Sequence, residues 1–216
     1  LQLAADQFST GDYKRSLDST QSALKHDPNY PAAYNQLGLV YLETKRFTKS
    51  EEAFRQAIAL QSDYPEVFNN LGVLYNRLEK YSTAVAQFEK ALSYESYFTP
   101  EIAYTNLGYA HYKMGNATRA KFFHQKALDI SPQFCLAAKN MGDIYAKEKD
   151  FKKASDYFQK AGTNCPLFQE AQYKLGLALM KLGQKSVAKT QFSRIVEKHK
   201  EGPYVERSQE VLKLLQ

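Results

Sequence analysis

Five glycines recur at nearly constant spacing along the chain, and this spacing limits the possible folds more than any other feature. Gly38, Gly72, Gly108, Gly142 and Gly176 are separated by 34, 36, 34 and 34 residues, and each follows a leucine or a methionine. A period of this length indicates one supersecondary unit that is stacked several times along the chain. We therefore expect a repeat architecture, because no other fold class accounts for the spacing.

Other residue types recur in register with these glycines. If each glycine is position 8 of a repeat, alanine recurs at position 20 and phenylalanine at position 24. These residues are Ala84, Ala120, Ala154 and Ala188, and Phe54, Phe88, Phe158 and Phe192. Small residues let two helices approach closely, and the phenylalanines fill the space between them. In repeat four, position 24 holds His124, which we expect in the core.

This 34-residue pattern resembles the tetratricopeptide repeat (TPR), in which each repeat is a helix–turn–helix hairpin. The resemblance predicts an all-α fold, a right-handed superhelical TPR solenoid in a single domain of residues 1–216. Counting from Gly38 gives six repeats and a C-terminal capping helix, which covers the last repeat face. The predicted boundaries are about 1–30, 31–64, 65–100, 101–134, 135–168 and 169–202 for the repeats and 204–216 for the cap.

The composition argues against several function classes. The net charge of +6 comes from basic residues interspersed with acidic ones, so we expect no nucleic-acid partner. No apolar run approaches the ~20 residues that a membrane-spanning helix needs. No catalytic or phosphate-binding motif occurs, and the four histidines lie far apart in the repeat register. The sequence predicts a non-enzymatic protein with no metal and no cofactor.

The two cysteines fall in the same predicted repeat. Cys135 is at position 1, at the start of the first helix, and Cys165 is at position 31, at the end of the second. Because the two helices of a hairpin are antiparallel, both residues should lie at the same end of it. A disulfide forms there if the Cα atoms come within ~7 Å. Two unrelated free thiols are the alternative.

The first helices of TPR repeats form the surface that binds partners. Carboxamides recur at position 6, where they can donate to and accept from an extended peptide backbone. Apolar and aromatic residues lie between them, and position 13 is basic in the last four repeats. We predict a groove that binds a protein or peptide partner, formed by Asn70, Asn106, Asn140, Tyr109, Tyr112, Tyr173, Leu39, Val73, Ile102, Leu136, Arg77, Lys113, Lys147 and Lys181.

Two of these features have structural explanations as well. Asparagine is common at position 6 of TPR repeats for packing reasons. Lysine and arginine suit the last turn of any helix because of the helix dipole. For the amide column and for the basic edge, the sequence leaves both interpretations open.

The repeats also carry one irregularity, the 36-residue interval that adds two residues in the segment 93–100. Six TPRs with this extension between repeats three and four resemble the type IV pilus pilotin lipoproteins (the PilF/PilW/Tgl family). The resemblance implies a lipoprotein at the periplasmic face of the outer membrane that promotes assembly of the secretin pore. It implies a secretin subunit as partner, and membrane contact only through a lipid anchor upstream of Leu1. A generic peptide-binding TPR adaptor or co-chaperone is the alternative, and a cytoplasmic location is not excluded.

Overall fold

The computed structural model describes residues 1–215, which form thirteen α-helices and no β-strand. The all-α class that the sequence predicts is therefore confirmed. Gln216, the last residue of the predicted cap, lies outside the described residues. The helices are α1 Gln2–Ser9, α2 Tyr13–His26, α3 Pro31–Glu43, α4 Phe47–Leu60, α5 Pro65–Arg77, α6 Tyr81–Leu92, α7 Pro100–Lys113, α8 Ala117–Ile130, α9 Cys135–Lys147, α10 Phe151–Asn164, α11 Gln169–Lys181, α12 Lys185–Lys198 and α13 Pro203–Leu214.

The helices fall into two compact units, Leu1–Met114 and Gly115–Gln216. In the first unit α1 packs on α2, α3 on α4 and α5 on α6, and α7 packs on α6. In the second unit α8 packs on α9, α9 on α10, α11 on α12 and α12 on α13. Each unit is thus a stack of helices that are neighbours in sequence. The single domain of residues 1–216 stays a prediction.

Four of the recurrent glycines lie directly against a phenylalanine ring of the second helix of their hairpin. A Cβ atom added to Gly72 would lie 2.4 Å from Cε1 of Phe88, and one added to Gly38 would lie 2.4 Å from Cε1 of Phe54. The pairs Gly142–Phe158 and Gly176–Phe192 show the same arrangement, with nearest distances of 2.5 Å. Each glycine leaves room for a phenylalanine ring, which explains why positions 8 and 24 recur together.

The first hairpin packs its two helices together with different residues at positions 8 and 24. Its positions 8 and 24 hold Ala4 and Thr20, both fully buried. Thr20 is smaller than phenylalanine, so the methyl group of Ala4 fits against it. Ser16 at position 20 donates a hydrogen bond from Oγ to the carbonyl oxygen of Ala4 over 2.8 Å. The register is therefore kept although the glycine is absent.

The turns inside the hairpins all use a left-handed residue. Gly11, Gly115 and Gly183 have φ angles of 79°, 83° and 77°. The equivalent residues of the other three hairpins are Lys45, Glu79 and Lys149, with φ angles of 58°, 58° and 63°. A side chain with a Cβ atom is strained in this region, so these three turns cost free energy that the glycine turns avoid.

The helix α13 covers the last hairpin of the second unit. Val205 of α13 is buried in one cluster with Phe192 and Ile195 of α12. Tyr204 places its ring 5.5 Å from the ring of Tyr173 of α11. The last hairpin therefore does not leave its apolar face open to water.

A disulfide closes one hairpin of the second unit. Cys135 is the first residue of α9 and Cys165 directly follows α10, so both lie at the same end of the hairpin. Their sulfur atoms are bonded, and their Cα atoms are 6.2 Å apart. The bond joins the two ends of a segment with a sequence separation of 30 residues.

His124 lies in the core of the second unit, as the register predicts. The side chain is buried and its Nδ1 atom has no hydrogen-bond partner. Burial, with the positive charge of Lys139 as the smaller cause, lowers the pKa of His124 to about 3. The imidazole is therefore neutral at physiological pH and takes the place of an apolar ring.

Candidate partner-binding surface

The residues of the predicted groove lie on first helices of hairpins in both units. In the first unit α3 contacts α5 and α5 contacts α7. These helices carry Leu39, Asn70, Val73, Arg77, Ile102, Asn106, Tyr109, Tyr112 and Lys113. In the second unit α9 and α11 carry Leu136, Asn140, Lys147, Tyr173 and Lys181. The two groups are described separately below.

The carboxamides of the first unit bind each other across neighbouring repeats. Asn70 donates from Nδ2 to Oδ1 of Asn35 over 2.9 Å, and Asn106 donates from Nδ2 to Oδ1 of Asn69 over 3.1 Å. In both bonds, position 6 of one repeat donates to position 5 of the repeat before it. These donors join neighbouring repeats, which is the packing role that the sequence left open beside peptide binding. Asn140 of the second unit is buried.

Arg77 is the first of the basic residues at position 13, and its charge is paired within the protein. Arg77 donates from Nη1 to the carbonyl oxygen of Leu42 over 3.2 Å and forms an ion pair with Glu43. This contact joins α5 to the end of α3. The positive charge of Arg77 is therefore balanced within the protein, and its place in the groove stays a prediction.

Tyr109 and Lys113 form the exposed part of α7. Tyr109 is 40 % exposed, whereas Tyr112 is half-buried. Lys113 is fully exposed, with Nζ 5.9 Å from the centroid of the Tyr81 ring. The nearby Tyr109 and Tyr81 raise the pKa of Lys113. Tyr109 and Lys113 are therefore the part of the predicted groove on α7 that a partner can reach directly.

Tyr173 has a structural role that the sequence analysis did not predict. Its ring lies 5.5 Å from the ring of Phe192 and 5.5 Å from that of Tyr204. The side chain packs against the core that α12 and α13 form, because α13 folds back onto α11. Tyr173 is half-buried, and its assignment to the groove stays a prediction. Leu136 on α9 remains 42 % exposed, as a contact residue should be.

A cluster of four charged side chains joins α9 to α11. Lys174 Nζ lies 2.7 Å from Asp143 Oδ1 and 2.7 Å from Glu170 Oε1. Lys139 Nζ lies 3.2 Å from Asp143 Oδ2 and 3.4 Å from Glu170 Oε1. Two positive and two negative groups thus balance each other. The sequence signal was present in the i,i+4 pairs Lys139–Asp143 and Glu170–Lys174, but it did not show that the two pairs meet.

The ionisation of this cluster follows from its partly buried position. Burial opposes the charge of Glu170, but hydrogen bonds from Lys174 and Lys139 outweigh it and lower the pKa of Glu170. Burial likewise opposes the charge of Lys174, and hydrogen bonds to Asp143 and Glu170 outweigh it and raise the pKa of Lys174. Glu170 and Lys174 therefore stay charged near neutral pH, and the cluster ties two repeats together.

A cleft of about 260 Å³ lies beside this cluster, between α9, α10 and α11. Its walls are largely apolar and include Phe151, Phe158 and Leu177, while Lys181 lies at its polar edge. No ion pair involves Lys181 within residues 1–215. This cleft can take an apolar side chain from a partner, and Lys181 can meet a carboxylate beside it.

Two other classes of site are absent from the part of the chain that the structure describes. Residues 1–215 contain no group of three or more histidine, cysteine, aspartate or glutamate side chains arranged to hold a metal ion. None of their helices combines the length and the apolar character required to cross a bilayer.

Comparison of the sequence with protein families identifies the repeats. Family models described as tetratricopeptide repeat match residues 32–94, 102–134, 140–161 and 170–201, which together cover most of the chain. The chain belongs to the tetratricopeptide-repeat family. TPR proteins present an interaction fold, so a protein or peptide partner is the expected kind of ligand for this TPR protein.

Two solved structures resemble the TPR protein over nearly their whole length. PilW, described as a widely conserved type IV pilus biogenesis factor, is 27 % identical with a TM-score of 0.83, covering 95 % of this chain and 94 % of PilW. PilF of Pseudomonas aeruginosa is 18 % identical with a TM-score of 0.78, covering 97 % of this chain and 94 % of PilF. At its lower identity the likeness to PilF shows the fold alone. The resemblance of the TPR protein to this pair of pilus proteins is confirmed.

Curated relatives match only part of the TPR protein. The uncharacterized protein ycf37 of Pyropia yezoensis is 37 % identical over 60 residues, which are 28 % of this chain and 34 % of ycf37. The chain spans about a third or less of the length of the curated relatives it matches. These matches therefore support the repeat family and give no activity.

Proposed function

We propose that this TPR protein is a non-enzymatic assembly factor of type IV pilus biogenesis. In this proposal it acts as a pilotin, binding secretin subunits and promoting their assembly into the outer-membrane pore. It binds its partner through the exposed side chains of its first helices and uses no cofactor.

One observation carries the proposal. The likeness to PilW extends over 95 % of this chain and 94 % of PilW at 27 % identity, so it is not confined to a few repeats of either protein. A likeness restricted to generic TPR packing would favour many unrelated TPR proteins equally. A shared architecture over nearly the whole length of both chains supports a shared role in pilus biogenesis.

We propose the periplasmic face of the outer membrane as the location, with a lipid anchor that precedes Leu1 as the attachment. The disulfide between Cys135 and Cys165 supports an oxidising compartment such as the bacterial periplasm. Fractionation of cells that express the natural gene, together with labelling by radioactive palmitate, tests this placement. Recovery of unlabelled protein from the cytoplasm would contradict it.

Deletion of the gene provides the direct test of the pilotin role. We expect heat-resistant secretin multimers to be lost on gels while secretin monomers persist, because assembly and not synthesis depends on the pilotin. Complementation with the wild-type gene should restore the multimers. Unchanged multimers in the deletion strain would contradict the proposal and leave a generic TPR adaptor as the better description.

A substitution on α7 tests where the partner binds. Tyr109→Ala removes an exposed aromatic side chain, the residue type that dominates binding energy at interfaces, and should weaken secretin binding by about 2 kcal/mol. Tyr30→Ala is the matched control, because Tyr30 is a comparably exposed tyrosine outside the first helices. Equal losses from both substitutions would show that the first-helix face is not the contact surface.

A further inference from the structure

The loop between α6 and α7 presents an aromatic side chain directly to solvent. This loop, residues 93–99, contains the two residues by which the repeat period is extended to 36. Phe98 in this loop is 86 % exposed, although its neighbour Tyr97 is buried. Among the described residues, no other large hydrophobic side chain is more exposed than Phe98.

The rest of the loop is held firmly against the first unit. The ring of Tyr94 stacks on that of Phe68, with centroids 5.8 Å apart, and its hydroxyl donates to the carbonyl oxygen of Ser62 over 3.1 Å. Tyr97 is buried in a cluster with Ala91. These contacts fix the loop on both the preceding helix and the preceding inter-repeat loop.

Phe98 therefore lies on a backbone that its surroundings already order. Tyr97 fixes the residue before it, and α7 begins two residues later at Pro100. A partner that contacts the ring does not have to order the loop, which removes one of the main costs of association. An aromatic ring on an ordered backbone is the usual form of an energetic anchor at an interface.

The charges around Phe98 oppose the net charge of the chain. The segments 61–66 and 93–101 contain Asp63, Glu66, Glu95 and Glu101 and no lysine or arginine, whereas the whole chain has a net charge of +6. None of these four carboxylates forms an ion pair within residues 1–215.

One carboxylate from each segment acts on Tyr97, the neighbour of Phe98. Burial raises the pKa of Tyr97, and the negative charges of Glu66 and Glu101 raise it further against a hydrogen bond with Thr99. Glu66 in the first turn of α5 and Glu101 in the first turn of α7 thus act on the same hydroxyl group. The residue next to Phe98 therefore lies near negative charge from two repeats.

We propose that Phe98 and these four carboxylates form a second binding surface, which inserts the Phe98 ring into an apolar pocket rimmed by lysine or arginine on the secretin subunit. The inference rests on the proposed function, because it takes the secretin as the partner. Charge complementarity selects a basic protein surface. The negative surface of an anionic bilayer would repel the four carboxylates, so the ring does not serve as a membrane anchor.

Two substitutions and one matched control test this surface. Phe98→Ala removes the anchor, and Glu95→Lys reverses one of the surrounding charges in the same loop. Leu167→Ala is the control, because Leu167 is 83 % exposed in another inter-repeat loop and lacks the cluster of carboxylates. Phe98, Glu95 and Leu167 are all exposed, so each variant should keep the wild-type melting temperature.

Binding is measured by interferometry against the purified secretin, and heat-resistant multimers are measured in cells. We expect Phe98→Ala to weaken binding about thirtyfold, the size of a hot-spot loss, and to reduce multimers. Glu95→Lys should slow association at low salt, and the difference should shrink at high salt because the charges are screened. Leu167→Ala should bind like the wild type.

The outcomes separate this inference from the proposed function. If the wild type binds secretin and supports multimers, and Phe98→Ala does both equally well, the second surface is wrong and the pilotin role stands. If the wild type itself neither binds secretin nor supports multimers, both proposals are wrong. Vesicles of phosphatidylethanolamine and phosphatidylglycerol provide a further arm. Loss of vesicle binding in Phe98→Ala with unchanged secretin binding would overturn the inference in favour of a lipid surface.

Discussion

Replacing Gly72 with alanine would add one methyl group at a place that the ring of Phe88 already occupies. The added Cβ would lie 2.4, 2.6 and 2.7 Å from three carbon atoms of that ring. Carbon atoms in ordinary contact are about 3.5–4.0 Å apart, so the ring or the helix has to move by about 1 Å. Phe88 is fully buried, which leaves its ring no open space to move into.

The expected cost follows from two opposing effects. Overpacking a well-filled core costs about 1–3 kcal/mol, and a clash of about 1 Å with a rigid ring belongs at the upper end of this range. Alanine is a better helix former than glycine by about 1 kcal/mol, which offsets part of the cost. We therefore expect Gly72→Ala to lower the free energy of unfolding by about 2 kcal/mol.

Urea unfolding monitored by circular dichroism measures this change. The same measurement is made in a second background and on a control variant. In a Phe88→Leu background the smaller and more flexible side chain makes room for the methyl group, so Gly72→Ala should become neutral or stabilising. Ala4 with Thr20 in the first hairpin is the natural precedent for this pairing. Gly162→Ala controls for helix propensity, because a Cβ there meets only the side-chain Cγ of Gln172, at 3.1 Å, and its Cα, at 4.0 Å.

The effect of Gly72→Ala on the free energy of unfolding should thus change sign between the wild-type and Phe88→Leu backgrounds. Wild-type stability in Gly72→Ala would show that the ring can move without cost. An equal cost in the wild-type and Phe88→Leu backgrounds would show that the loss has nothing to do with the ring. Either result would remove the physical explanation for the recurrent pairing of glycine and phenylalanine.

Three further predictions follow from the second unit. His124→Phe should reduce the loss of stability that the wild type shows at acid pH. The pKa of His124 is about 3 in the folded protein and about 6.5 in the unfolded chain. The unfolded chain therefore binds the proton first, and the free energy of unfolding of the wild type falls as the pH drops below 6.5. The wild type should therefore lose about 2 kcal/mol relative to the variant between pH 7 and pH 5, measured by urea unfolding at each pH. Replacing both Cys135 and Cys165 with serine should cost up to about 3–4 kcal/mol, and dithiothreitol should destabilise only the wild type. Lys149→Gly should raise the free energy of unfolding by roughly 0.5–1 kcal/mol, because glycine adopts the left-handed conformation of this turn without strain. An unchanged or lower melting temperature would contradict this.

The repeat fold was predictable because it depends on a periodic property of the sequence. Packing in a hairpin requires a small residue on one helix opposite a large one on the other, and this requirement recurs at each repeat. The spacing of Gly38 and Gly72 therefore predicts the hairpins before any coordinates are known. The same register predicts the burial of His124, because it holds a position that is filled by phenylalanine elsewhere.

The sequence predicted which repeat positions the residues between neighbouring repeats occupy, but not the contacts that they form. The register shows that Asn70 and Asn106 occupy position 6, but not that each donates to position 5 of the preceding repeat. That contact depends on the translation and rotation between neighbouring hairpins, which the residues of one repeat do not encode. Lys174 holds the same position in the last repeat and binds Asp143 and Glu170 instead.

By itself the sequence determined that this protein is an all-α stack of TPR hairpins, because small and large side chains must alternate at fixed intervals for two helices to pack closely. Only the tertiary structure decided which surface residues are available to a partner. Tyr173 is half-buried against α13, whereas Phe98 is open to solvent beside the buried Tyr97. A loop has no periodic pattern that would predict which of two adjacent aromatic residues is buried and which is exposed. Their exposure depends on side chains from other repeats, such as Phe68, that fill one position and leave the next one free.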